Sequence, residues 1–116
     1  MHELRRVGEE SIARGLAQAL VAQWDGDAAH DANHPARTYA YPAALRPRTA
    51  ALLLNHRPDA TSAAQTTVLD PFCGSGTSLV EAMRAGCRAV GTDASPPALV
   101  AATHHTCRLP DAGSAA

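Results

Sequence analysis

The chain has 116 residues, of which 46 % are hydrophobic and 18 % charged, with a formal net charge of −1. That composition belongs to one ordinary globular domain and excludes a wholly disordered or fibrous protein. Its apolar runs are only a few residues long, as at 50–54, far short of the ~20 needed to cross a bilayer, and MHELRRVGEE has no apolar core of a secretory signal, so a cytoplasmic location and no membrane partner are expected.

Near-neutral charge neither demands nor excludes a nucleic-acid partner. All ten basic residues are arginine and alanine fills more than a fifth of the chain, which is a compositional bias and not chemistry. Cys73, Cys87 and Cys107 are odd in number and lie 14 and 20 residues apart. Such spacing matches neither a disulfide framework nor a paired metal-binding motif, so reduced thiols are expected.

Taken in order, residues 3–24 predict an amphipathic helix, with Ile12, Leu16, Leu20 and Trp24 at four-residue steps on one face and Arg14, Gln18 and Gln23 away from it. DGDAAHDANHPART, residues 25–38, mixes turn formers without periodicity and reads as a linker. Its aspartates and histidines have no spacing that fits a metal-ligand loop, so no metal is expected. Pro47 suits the first position of a short helix with the apolar body 50–54, which should stop before Pro58. Residues 57–65 read as a polar connector.

From Thr66 the texture becomes strand (66–70), Pro- and Gly-rich turn, helix, strand (88–92), turn and helix, which is a βαβ unit. The organisation expected is therefore an N-terminal helix and linker over 1–38, a partial cofactor-binding domain over 39–108 and a disordered tail over 109–116.

The turn PFCGSGT carries the chemistry. Gly74 and Gly76 permit positive φ and close approach of a ligand to the main chain. Thr77 and Ser78 open a helix whose first N–H groups lack intrahelical partners and favour an anionic group. Asp93, at the end of the second strand, can accept both hydroxyls of a ribose. A nucleoside-containing ligand fits this unit. A Walker loop requires a lysine, and the chain has none. The dinucleotide fingerprint would need glycine where Leu79 stands. What remains is a ribose, a base and a small carboxylate in place of a pyrophosphate.

The segment VLDPFCGSGTSLVEAMRAGCRAVGTDASPPA, residues 68–98, resembles the cofactor-binding half of the S-adenosylmethionine-dependent methyltransferases that modify exocyclic amino groups of DNA bases, of the N4-cytosine or N6-adenine type. Its DPF-x-GSGT motif followed by EA carries the likeness. Upstream, YPAALRP is similar to a YPA-(K)-(L/F)-x-P segment of a group of DNA methylases, departing from it at Ala44. This resemblance covers about residues 39–108 and implies an α/β fold, a partial Rossmann-like sheet with N-terminal helices. It also implies S-adenosylmethionine as cofactor.

Carried over residue by residue, it gives Asp70 the cofactor's methionine amino group and the backbone of Pro71, Phe72, Cys73, Gly74, Ser75, Gly76 and Thr77 the methionyl carboxylate and sulfonium region. Asp93 would take the ribose hydroxyls, and Ala94 to Pro96 would flank the adenine. Beside these readings stand plainer ones, in which Asp70 caps the turn, Asp93 caps the last helix and Cys73 is a small packing residue. Glu81 and Arg84 read as a solvated helix pair, and His104 and His105 as surface residues.

Amino-methyltransferases of this kind resemble one another in a catalytic [DNS]PP[YFW] loop whose aromatic stacks on a flipped base. Here the only Pro-Pro pair is in SPPA, residues 95–98, without an aromatic, and it reads as a helix opening. No catalytic residue is therefore assigned. The expected function is the cofactor-binding part of a DNA methyltransferase, whose catalytic and target-recognition parts lie beyond residue 116 or on a partner subunit. An RNA (tRNA guanine-N2) methyltransferase fragment and a non-catalytic cofactor- or partner-binding module are the alternatives.

Overall fold

The computed structural model describes residues 8–25, 34–35, 45–56 and 62–107. The tail 109–116 and all of the 25–38 linker except Asp25, His34 and Pro35 lie outside the described residues. Helix α1 spans Glu10–Asp25. Glu9 caps it, its carboxylate accepting the N–H groups of Ser11 and Ile12, each at 3.1 Å, which satisfies two donors that the first turn leaves free. The Ser11 hydroxyl, which also donates to this carboxylate, and then these two bonds hold the Glu9 carboxyl below the usual carboxylate range.

Helix α2, Pro47–Asn55, starts with Pro47 in its first turn and ends with His56 as cap, two residues before Pro58. It runs antiparallel to α1: Gln23 Oε1 near the end of α1 accepts the Arg46 N–H at 2.9 Å, and Gly15 near its start lies under the His56 ring. A short 3₁₀ turn, Ala63–Gln65, leads into strand β1, Thr67–Asp70. Helix α3, Thr77–Arg84, then strand β2, Arg88–Gly91, then helix α4, Pro96–Thr106, complete the described order.

β1 and β2 pair in parallel, with Thr67 opposite Arg88 and Asp70 opposite Gly91, and α3 forms the crossover and packs on both strands. Together with the N-terminal helices this is the partial α/β Rossmann-like arrangement expected. The strands are one residue shorter at the outer ends than the sequence pattern suggested. Successive strand residues face opposite sides. Val68 and Ala89 are partly covered on the α3 side, whereas Leu69 (65 % exposed) and Val90 (50 %) face away from it. The buried cluster is small, Cys73, Leu79 and Ala102 with Ala89 against them. Gly91 belongs to it by necessity: a Cβ there would sit 2.6 Å from Leu79 Cδ1.

The structure adds to the reading of α1 and overturns that of Glu81. On α1 the enclosed residues are Ala13, Gly15 and Ala19, while Ile12, Leu16, Leu20 and Trp24 keep about half their surface exposed. Close helix approach selects small side chains, so the large ones overhang the contact. Nor is Glu81 solvated: it is 4 % exposed, with Arg84 Nη1 at 3.0 Å and the imidazole of His34 at 3.1 Å. α2 packs over α3 and His34 closes the same side, so water is kept from this carboxylate.

Candidate functional site

Parallel pairing puts the carboxyl ends of β1 and β2 side by side, the edge at which open α/β sheets take ligands. The turn from Pro71 to Gly76 folds across that edge and is tied to the chain after β2. Cys73 N–H donates to the Thr92 carbonyl at 2.9 Å, Thr92 N–H to the Asp70 carbonyl at 3.0 Å, and the Thr92 hydroxyl to the Pro71 carbonyl at 2.9 Å. Gly74 N–H donates to Asp93 Oδ2 at 2.9 Å. Residues 19 positions apart are thereby placed in one cluster.

The two carboxylates are fixed by local donors. Asp70 Oδ1 accepts the Phe72 N–H at 3.0 Å, and its Oδ2 accepts the hydroxyl of Ser78 from the first turn of α3. Asp93 Oδ1 accepts the Ser95 N–H at 2.8 Å, and this bond, followed by the one from Gly74, holds the Asp93 carboxyl below its ordinary value. The capping geometries are thus present. Each of these carboxylate oxygens keeps a second lone pair to offer.

The outer surface of the turn is open. Phe72 is 86 % exposed, and Pro71 and Ala94 are also exposed. Gly74 has φ +52° with nothing within 4 Å of where a Cβ would stand. Among the described residues no acceptor meets the N–H groups of Thr77, Ser78 and Leu79, so the start of α3 presents free donors, as the sequence suggested.

Other residues of the motif face inward. Cys73, Ser75, Gly76 and Thr77 are buried. Burial, aided by the Asp70 and Asp93 charges, pushes the Cys73 thiol up, which keeps it neutral and makes it a packing group. Gly76, at φ +89°, has Ala102 Cα and Cβ 3.2 Å from its would-be Cβ. The close approach at Gly76 is therefore to α4, whereas Gly74 is the position open to a ligand.

Sequence reading missed three supports. Ser78 reaches back to Asp70, Thr92 braces Pro71, and His105 Nδ1 lies 2.7 Å from the Ser75 carbonyl. His105 is therefore a partly buried brace of the turn, not a surface residue, while His104 is exposed. A hydroxyl two positions after the last motif glycine is a signal legible in sequence; His105, 30 residues from Ser75, is not. Pro96 and Pro97 form the first turn of α4 behind Ser95, so SPPA is a helix opening, as expected.

A family model, UPF0020, RMKL-like, methyltransferase domain, matches residues 35–95. This chain belongs to that methyltransferase domain family. The matched span begins beside His34, takes in YPAALRP, and ends just past Asp93. No curated protein and no solved structure matches significantly. Among the described residues no helix is long and apolar enough to cross a membrane.

Proposed function

We propose that this methyltransferase-domain chain binds S-adenosylmethionine at the β1–α3 turn and is the cofactor-binding part of an enzyme that methylates exocyclic amino groups of DNA bases. The observation that carries the reading is the convergence of Asp70, the open Gly74 and Asp93 at the carboxyl edge of the parallel pair, beside the free N–H groups of α3.

The donor set suits such a cofactor. Asp93 supplies acceptors for two ribose hydroxyls, Asp70 an acceptor for the methionine ammonium, and the open Gly74 with the start of α3 a place for the carboxylate. Exposed Phe72 and Ala94 offer apolar surface beside it. When bound, the sulfonium supplies an electrophilic methyl group. This chain's residues bind and orient it, while the loop that holds the target amine comes from a further segment or a partner subunit.

A second reading, methylation of RNA at guanine N2, is equally compatible with the family match, which spans the turn and YPAALRP without dividing DNA from RNA enzymes. A non-catalytic binding module remains the reading if no transfer occurs.

Calorimetric titration with S-adenosylmethionine tests the site. Wild type should bind, and Asp93→Ala should lose charge-assisted hydrogen bonds worth about 1.5–3 kcal/mol, on the order of ten- to a hundredfold in affinity. Equal binding by both removes the turn as the cofactor site. Tritiated methyl transfer to DNA and to tRNA, with the chain joined to a segment carrying a Pro-Pro-aromatic loop, decides the substrate. Label on tRNA alone selects the RNA reading.

A further inference from the structure

Ser75 stands between the two motif glycines, and glycine on either side gives the adjoining peptide groups little steric reason to hold one orientation. The direction of the Ser75 carbonyl is therefore set by what bonds it. Its partner is His105 Nδ1, at 2.7 Å, from the last turn of α4 and 30 residues away. A carbonyl oxygen only accepts, so the imidazole donates and carries a proton on Nδ1. Three residues earlier on α4, the buried Ala102 lies against Gly76. One face of α4 thus grips two successive residues of the turn.

Direction matters because this turn is to receive an anion. Its other inward carbonyls are occupied: Pro71 accepts the Thr92 hydroxyl at 2.9 Å, Cys73 the Gly76 N–H at 2.8 Å and Gly76 the Val80 N–H at 2.9 Å. Among the described residues the Ser75 N–H has no acceptor, like those of Thr77, Ser78 and Leu79. The turn ties its acceptors into the fold and keeps donors in hand, the arrangement of an anion-binding nest. Released from His105, the Ser75 carbonyl would be a buried acceptor without a partner. Rotation toward the ligand would then set its partial negative charge against a carboxylate.

We propose that His105 is a positioning residue of the cofactor turn, holding the Ser75 carbonyl on the α4 side so that the methionyl carboxylate meets N–H groups only. This rests on the turn being the S-adenosylmethionine site. It gives α4 a share in recognising the amino-acid end of the cofactor, whereas Asp93 serves the ribose.

Calorimetric titration of the full chain with two probes tests it: S-adenosylmethionine, and its decarboxylated form, which keeps adenine, ribose, sulfonium and amine and lacks only the carboxylate. His105→Leu should weaken S-adenosylmethionine about tenfold, the worth of one hydrogen bond, and leave the decarboxylated probe as in wild type. His105→Asn, whose amide N–H can stand where Nδ1–H does, should restore binding, and His104→Leu, at the exposed neighbour, should change nothing. The imidazole nitrogen NMR spectrum of the wild type should show the neutral His105 ring protonated on Nδ1, a readout that needs no variant to fold. Unchanged affinity in His105→Leu, equal losses for both probes, no rescue by asparagine, or a neutral ring protonated on Nε2 would each overturn the proposal and leave the cofactor site standing. Absence of S-adenosylmethionine binding by the wild type would instead remove the cofactor reading, and the proposal with it.

Discussion

The β1–α3 turn and the α1–α2 hairpin use small residues for opposite ends. At the turn, Gly76 against Ala102 and Gly91 against Leu79 and Cys73 bring backbone elements close enough for Gly74 N–H, Asp93, Asp70 and Ser78 to meet. In the hairpin, Gly15 lies beneath His56, and Ala13 and Ala19 are buried while the large apolar side chains of α1 stay half exposed. One close contact gathers polar groups into a site, and the other leaves a half-covered hydrophobic stripe. A second difference lies in what opposes each glycine. Gly76 faces helix backbone, which cannot yield, whereas Gly15 faces the tip of an exposed ring, which can.

The largest effect should fall where backbone opposes backbone. Gly76→Val combines a β-branched residue at φ +89° with a 3.2 Å approach to Ala102, and should cost about 3 kcal/mol, read from the urea midpoint. A midpoint within error of wild type would show that the turn and α4 are not packed as described. Next comes the link between the regions. Glu81→Ala removes a carboxylate partner from His34, whose side chain is 0 % exposed, and should cost about 2 kcal/mol. Arg84→Ala, at the half-exposed end of the same network, should cost less than about 0.5 kcal/mol. Equal losses would place the energy in the exposed pair instead.

Acid sharpens the comparison further, because each region holds one carboxylate below its ordinary value: Asp93 by Ser95 and Gly74 N–H, and Glu9 by Ser11. A depressed folded-state value means that the stabilisation is complete above the unfolded values of 3.8 and 4.5, and is lost as the pH falls through the lower folded ones. Urea midpoints measured downward from about pH 5 should therefore decline, less steeply for Asp93→Asn and for Glu9→Gln. A decline unchanged by Asp93→Asn would assign the acid sensitivity elsewhere. The smallest effect belongs to Gly15→Ala. Its Cβ would stand 2.3 Å from His56 Nε2, yet the ring can swing into solvent, and alanine gains about 1 kcal/mol of helix propensity over glycine. The net change should lie within about 0.5 kcal/mol, and a loss above about 2 kcal/mol would show that His56 is pinned.

Local chemistry written in the sequence determined much of this protein. Short apolar runs bounded by turn residues placed the two strands within one residue of their observed ends, prolines set the starts of α2 and α4, and the spacing of Asp70, Gly74 and Asp93 named groups that the sheet edge then gathered. Such features depend on backbone conformation and on neighbours a few positions away, so one sequence window contains their cause. Tertiary structure decided the rest. Periodicity gave α1 a hydrophobic face but not how deeply it would be covered, and the fold buried the alanines and the glycine while leaving the larger side chains half exposed. The i,i+3 spacing gave Glu81 its Arg84 but not His34, and nothing local joined His105 to Ser75. Burial, and with it the role of each of these side chains, follows from which distant segments pack together, a quantity set by the whole chain and not by any stretch of it.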